Sequence, residues 1–323
     1  MEQDDCQSNE FYMNQRAHFS YHEALYKDYS VMELFQKVLS FNPLLIRGKV
    51  VLDVGAGSGI FSLFAARAGA RKVYSWEPSI LSLYNAEVFK ENDFESTIVI
   101  LNGPAEQIQL PEKVDVIFTS SFGYAFFLES LFSSFLLLRD RFLSTSGITL
   151  PGRANFSIAG FEVGQYHDKP EFWDDVYGFD FSPMKGDEAN LAVIDVLTSD
   201  RVLTLPFCFE SIDFINTNFN GSISGSFHTI CQKPGKMEGI AFWFDIIFLY
   251  NKVDKCLSTS PLSDATHWCH TLLPFVEPIE VQIDDVLEGF IEIKCMNNNY
   301  RPINIDLRYK IREIANNIQF IIK

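Results

Sequence analysis

VVLDVGAGSGIFSLFAARAGARKVYSWE, running from Val50 to Glu77, contains a strand, a glycine turn, a helix and a second strand in immediate succession. The run "VVLDV" is short, apolar and β-branched, as a buried strand requires. Gly55, Gly57 and Gly59 follow it, "GIFSLFAARAGA" has helical spacing and ends in glycine, and "KVYSWE" closes on Glu77. Glycine is needed where a backbone turns tightly and must approach a ligand with no Cβ in the way. A dinucleotide fingerprint places its third glycine three residues after the second, and here that position is Ile60. The observed spacing, with Asp53 ahead of it, suits a methionine-bearing nucleoside better than a pyrophosphate. Glu77 stands 18 residues beyond Gly59, where an acid can accept hydrogen bonds from both ribose hydroxyls. Glu106, after the next strand, can meet the adenine amino group. A glycine loop alone often serves packing. The full order of strand, loop, helix, strand and acid is what points to a nucleoside cofactor.

Outward from this segment the alternation continues. "PSILSLYNAEVFKEN" reads as a helix, "STIVILNG" and "VDVIFTS" as strands, and "LESLFSSFLLLRDRFL" as a Phe-rich core helix. Strands alternating with helices predict a parallel sheet covered on both faces. Upstream, Leu25, Met32, Leu34, Phe35, Val38 and Leu39 predict helices, and "NPLLIRGK" predicts a turn. Downstream of "GITLPGRANF" the texture changes to short Phe-, Ile- and Val-rich runs between Gly, Asn, Asp and Pro, which predicts a mostly antiparallel β domain. "KPEFWDDVYGFDFSPMKG" interrupts it as an aromatic insertion with helical patches, the kind of excursion that marks a contact surface. The expected organisation is therefore residues 1–47 as N-terminal helices, 48–151 as the parallel α/β domain, and 152–323 as the β domain. The insertion falls near 168–190.

Composition narrows the partners. Hydrophobic residues make up 47% and charged residues 21%, enough apolar material for a large core. The net charge of −16 argues against nucleic-acid phosphate as the main partner and favours a basic one; solubility is the simpler explanation of the same charge. Six cysteines (Cys6, Cys208, Cys231, Cys256, Cys269 and Cys295) show no CxxC pair or zinc spacing. We expect reduced thiols, no metal site and a cytoplasmic protein. The polar, acidic opening predicts no signal peptide. Apolar runs such as "IAFWFDIIFLY" are too short, and too interrupted by charge, to cross a bilayer.

Taken in order, these segments resemble a protein arginine methyltransferase of the type I-like, AdoMet-dependent class over nearly the whole chain. "AHFSYHEALYKD" is similar to the family's cofactor-covering helices, and Val50–Glu77 to its motif I and the strand after it. "LPGRANF" resembles the interdomain junction, "FWDDVYGFDFS" the dimerisation arm, and "THW" at Thr266–Trp268 the substrate-side loop. The resemblance implies a Rossmann-like class I methyltransferase domain followed by a β-barrel domain with an inserted arm, in a head-to-tail dimer. It implies S-adenosyl-L-methionine as cofactor, held by His22, Asp53, Gly55, Gly57, Glu77 and Glu106. It also implies methyl transfer to arginine in Gly/Arg-rich proteins, with Glu129 as the second acid of a double-glutamate loop and His267 beside the substrate.

The departures from that pattern fall in one pocket. In "VDVIFTSSFGYAFFLES" (Val114–Ser130), the first glutamate of the pair falls on Ser120, and no acid lies between Asp115 and Glu129. Serine cannot form a bidentate pair with guanidinium, and losing one such electrostatic group costs about 3–4 kcal/mol of barrier, or roughly 100- to 1,000-fold in rate. The arginine that grips the cofactor carboxylate falls on Val31, a loss of about 1.5–3 kcal/mol in binding. In "YMNQR", Tyr12 is kept and the last tyrosine is Arg16, which either replaces the lost arginine or pairs with Glu129 and blocks substrate. Glu129 itself is either a substrate acid or a helix N-terminal acid favoured by the dipole. His267 either handles a proton or packs in its loop, and His18 is read as structural. The expectation is a catalytically impaired "prozyme" paralogue that pairs with an active arginine methyltransferase in a dimer or higher heteromer such as a heterotetramer, with cofactor binding weakened or lost. The alternative is a working enzyme that relies on Glu129.

Overall fold

The computed structural model describes residues 17–41, 43–128, 130–164, 172–184, 191–250, 253–295 and 303–322. It begins with α1 (Phe19–Lys27) and α2 (Tyr29–Ser40), joined at Asp28. Asp28 caps α2, its Oδ1 accepting from the Val31 N–H at 3.2 Å. Val31, Phe35, Val38 and Leu39 form the buried stripe of α2, at the spacing of one helical face. The turn expected at "NPLLIRGK" is instead a short helix, α3 (Pro43–Ile46), because proline suits the first helical position.

A five-stranded sheet follows, built from β1 (Val50–Val54), β2 (Lys72–Trp76), β3 (Ile98–Leu101), β4 (Val114–Phe118) and β5 (Leu143–Leu150). Its order is β3-β2-β1-β4-β5, and every pairing is parallel. Three helices connect these strands: α4 (Ile60–Arg67), α5 (Leu81–Glu91) and α6 (Phe132–Phe142). Strand β5 was not anticipated: as an edge strand with much of "LSTSGITL" partly exposed, it lacks an apolar alternation. Helix α6 is also shorter than "LESLFSSFLLLRDRFL" implied. Its expected first turn is taken up by non-helical bonds, in which Ser130 N donates to Phe127 O and Leu131 N to Ser121 O. The strand order reverses between β1 and β4. In an open parallel sheet the crevice for a ligand lies beyond the carboxyl ends of the strands at that reversal.

The remaining strands form two antiparallel sheets. The first, in the order β7-β12-β10-β6-β8, contains β6 (Arg153–Phe161), β7 (Val193–Asp195), β8 (Phe207–Asp213), β10 (Gly235–Tyr250) and β12 (His270–Val281), with β11 (Val253–Ser258) on β10. The second, in the order β15-β14-β13-β9, contains β9 (Ser222–Ile230), β13 (Val286–Cys295), β14 (Ile303–Ile311) and β15 (Ile314–Ile322). Period-2 burial is clear in β14, where Ile303, Ile305, Leu307, Tyr309 and Ile311 all face the core. Of the insertion, Phe172–Met184 is described, with Phe172, Tyr177, Phe179, Phe181 and Met184 exposed; its flanks at 165–171 and 185–190 lie outside the described residues. Among the described residues no helix is long and apolar enough to cross a membrane.

The parallel and antiparallel parts share one core. The segment after β4 is buried almost throughout, and Phe126 at its centre has no exposure. Its ring lies 5.1 Å from Phe132 of α6, 5.1 Å from Phe156 of β6 and 5.3 Å from Phe244 of β10. A second tie is polar. Arg139 of α6, 5% exposed, donates through Nη1 to Phe214 O at 2.6 Å and through Nη2 to Thr217 O at 3.0 Å. Removing it strands two carbonyls and the facing segment. We therefore expect Arg139→Met to cost about 2–4 kcal/mol of unfolding free energy in urea titrations. A loss below about 1 kcal/mol would show that the tie is dispensable.

Candidate functional site

The crevice at the strand reversal is lined by the glycine loop after β1, the Thr119–Ser121 segment after β4, helix α1 and the Thr266–Trp268 loop. Gly57 has φ +57°, and a Cβ there would lie 2.7 Å from the His22 ring. Gly55, at φ +76°, would meet Leu131 at 2.6 Å. These two glycines let His22 and the start of α6 close on the loop. Glu77, buried at the end of β2, accepts from Gly57 N at 2.7 Å through Oε2 and from Ser79 N at 2.9 Å through Oε1. Each oxygen keeps a second lone pair, so the carboxylate is held in place yet able to accept from a vicinal diol. Two asparagines that the sequence did not single out brace this frame. Asn85 Nδ2 donates to Gly57 O at 2.8 Å, and Asn102 Nδ2 donates to Glu77 O at 2.9 Å.

His22, Tyr26, Gly55, Gly57, Ser120 and His267 are brought together around a cavity of about 20 Å³, room for one water. Asp28 stands behind His267 and outside the lining: its Oδ2 accepts from His267 N at 2.9 Å and lies 2.8 Å from His267 Nδ1. Burial opposes ionisation of Asp28, but the hydrogen bonds from His267 and Val31 outweigh it and hold the carboxyl below its usual range. His267 also packs 4.1 Å from the Trp268 ring, whose Nε1 donates to Phe122 O at 2.9 Å. Asp28 was missed as a site residue, although an aspartate between two helical runs is a recognisable cap signal.

Other expected residues lie elsewhere. Val31 is fully buried in the stripe of α2 and does not line the cavity. Glu106 is exposed on a three-residue 3-10 turn, Ala105–Gln107, between β3 and β4. Glu129, Tyr12 and Arg16 lie outside the described residues, as does Cys6. His18 is exposed, with Nδ1 2.8 Å from Ser20 Oγ. The other five cysteines are free, and no metal-holding cluster of His, Cys, Asp and Glu occurs among the described residues.

Asp53 does not line the cavity. It is fully buried at the end of β1, its Oδ2 accepting from Ser62 Oγ at 2.6 Å. Its Oδ1 has no partner, and the same holds for buried Ser58 Oγ, Asn85 Oδ1, Ser121 Oγ and Thr266 Oγ1. Of these five residues only Ser58 lines the cavity, where a polar ligand could satisfy its hydroxyl. Burial, with the nearby Glu77 charge, pushes the Asp53 carboxyl up to about 7 against the pull of Ser62. A raised carboxyl pKa stabilises the fold at low pH, and that contribution is lost as pH rises from about 4 through about 7. The ligand-free protein should therefore lose about 2–3 kcal/mol between pH 5 and pH 8, and Asp53→Asn should flatten that slope. Equal pH slopes in denaturant titrations of the two proteins would exclude Asp53 as the source.

Comparisons with known proteins agree with this architecture. Residues 152–314 match the arginine methyltransferase oligomerization subdomain, and residues 37–126 match the ribosomal protein L11 methyltransferase family (PrmA). Protein arginine N-methyltransferase 1.1 of Arabidopsis thaliana is 33% identical over 95% of this chain and 80% of its own length. Protein arginine N-methyltransferase 1 of Schizosaccharomyces pombe is 33% identical over 94% of this chain and 90% of its own. Among solved structures, the Trypanosoma brucei PRMT1 enzyme–prozyme heterotetrameric complex with AdoHcy aligns with TM-score 0.89 and 29% identity, covering 95% of this chain and 99% of that one. The fold is shared with Arabidopsis thaliana protein arginine methyltransferase 10, at TM-score 0.85 and 24% identity over 96% and 100% of the two chains. By sequence and by architecture, the chain belongs to the protein arginine methyltransferase family.

Proposed function

We propose that this chain binds S-adenosyl-L-methionine but does not methylate arginine by itself, and that it serves as the regulatory, prozyme-like subunit of a heteromer with an active arginine methyltransferase. One observation carries this: no carboxylate is found among the described residues lining the cavity between His22, Ser120 and His267. Guanidinium is a delocalised cation that stays protonated. Carboxylates must grip it and draw its charge to one side before the other nitrogen can attack the sulfonium methyl. Ser120 offers only a neutral hydroxyl there.

The nucleoside end of the crevice does fit the cofactor. Glu77 is preset for the ribose diol, Glu106 stands on the turn that would meet adenine, and Ser58 Oγ in the glycine loop has no partner. When bound, the cofactor supplies an electrophilic methyl. The chain's own part is to hold the nucleoside and exclude water. The cavity under α1, about 20 Å³, is smaller than a methionine tail.

The exposed aromatic residues Phe172, Tyr177 and Phe179 supply a surface for a partner subunit. The enzyme–prozyme composition of the T. brucei relative supports the same arrangement. The net charge of −16 suits basic Gly/Arg-rich substrates of the complex and opposes nucleic acid. A cytoplasmic location is part of this proposal. A second possibility, a working enzyme relying on Glu129, is favoured by the Asp28–His267 pairing and the preset Glu77.

The test is methyl transfer from labelled AdoMet to a Gly/Arg-rich protein. We expect the folded chain alone to run about 100- to 1,000-fold below an active family member. Added to such a member with which it co-purifies, it should raise the rate above that of the member alone. A family-typical rate from the chain alone would overturn the proposal. In that case Ser120→Glu should leave activity nearly unchanged.

A further inference from the structure

The turn that carries Glu106 is too short to hold itself. A three-residue 3-10 segment has almost no internal hydrogen-bond ladder, and here it is fixed from outside. Arg141, in the last turn of α6, donates through Nη1 to Ala105 O at 3.0 Å and to Glu106 O at 2.8 Å. Its Nη2 donates to Ile108 O at 2.6 Å. The guanidinium carbon lies 4.9 Å from the Phe142 ring centroid, which restricts its approach. On the other side, Trp76 Nε1 donates to Gly103 O at 3.0 Å, and Trp76 directly precedes Glu77. The β3–β4 connection is thus gripped at both ends by side chains from the packed sheet and helix. A planar fork that reaches three carbonyls at once is a task suited to arginine and poorly matched by lysine.

The geometry points to Arg141 as a positioning residue for Glu106: its guanidinium sets the path of the turn so that the Glu106 carboxylate is presented to the exocyclic amino group of a bound adenine. Arg141 thereby supplies the preference for adenosyl over inosyl ligands without touching either. This inference rests on the cofactor-binding role proposed above. An inosyl base carries a carbonyl where adenine carries an amino group, so at that position it offers Glu106 an acceptor instead of a donor, and its remaining N1–H donor is displaced along the ring edge. A merely structural staple would change stability and leave that preference untouched.

The experiment is calorimetric titration of the full chain with S-adenosyl-L-homocysteine and with S-inosyl-L-homocysteine. The wild-type protein is compared with Arg141→Met, Arg141→Lys and Glu106→Gln, each verified as folded by circular dichroism. The wild type should prefer the adenosyl ligand by about tenfold, the value of one hydrogen bond to a charged group. Arg141→Met should bring the two affinities to within about twofold, and adding Glu106→Gln to it should change nothing further. Arg141→Lys should keep part of the preference, and it carries the test if the methionine variant does not fold. If both arginine variants retain the wild-type preference, Arg141 is a staple and the inference falls while cofactor binding stands. If the wild type binds neither ligand, the cofactor role falls and this inference falls with it.

Discussion

Phe126 occupies a backbone position that most residues avoid, and much of the molecule is arranged to keep it there. Its φ is +68°, and that of Ala125 before it is +47°. A bulky residue in that region costs on the order of 1–3 kcal/mol unless the surroundings over-determine it. They do so through the rings of Phe122, Phe127, Phe132, Phe156 and Phe244, all within 5.3 Å of it centroid to centroid. Three of these belong to elements of different parts of the fold: α6 of the parallel domain, and β6 and β10 of the antiparallel one. The segment after β4 is therefore a structural keystone as well as a wall of the crevice. Its chemistry is constrained by packing. A side chain at Ser120 can change charge without disturbing the aromatic cluster, whereas a change at Phe126 would loosen the junction of the two domains.

The two ends of the crevice differ in charge. At the nucleoside end, Glu77 is buried and anchored by two N–H donors, and the turn bearing Glu106 is held by Arg141 and Trp76. At the end nearest Ser120 the described residues offer hydroxyls and imidazoles. Asp28, behind His267, is engaged by that residue and by the first turn of α2. Its hydrogen bonds tie the N-terminal helices to the loop before β12, so its charge serves cohesion.

The parallel α/β domain and its glycine loop were legible in local pattern, because period-3.6 and period-2 patterns and the fixed spacing from Gly59 to Glu77 are local properties of the chain. The sequence also raised the expectation of an acid replaced at Ser120 and an arginine replaced at Val31, since these are matters of residue identity; Val31 proved to be part of the buried stripe of α2. It did not announce β5, whose half-exposed polar residues lack any alternation, nor the helix at Pro43–Ile46. Contacts between residues far apart in the chain emerge only from the folded arrangement. Asp28 meets His267 across 239 positions, Arg139 reaches Phe214 across 75, and Arg141 reaches Glu106 across 35. Such pairs leave no periodic trace, because each depends on where two separately folded elements come to rest against a shared core. The burial of Asp53 belongs with them. Its place before a glycine loop suggested a ligand contact, but the packing of α4 over β1 turned its carboxylate toward Ser62.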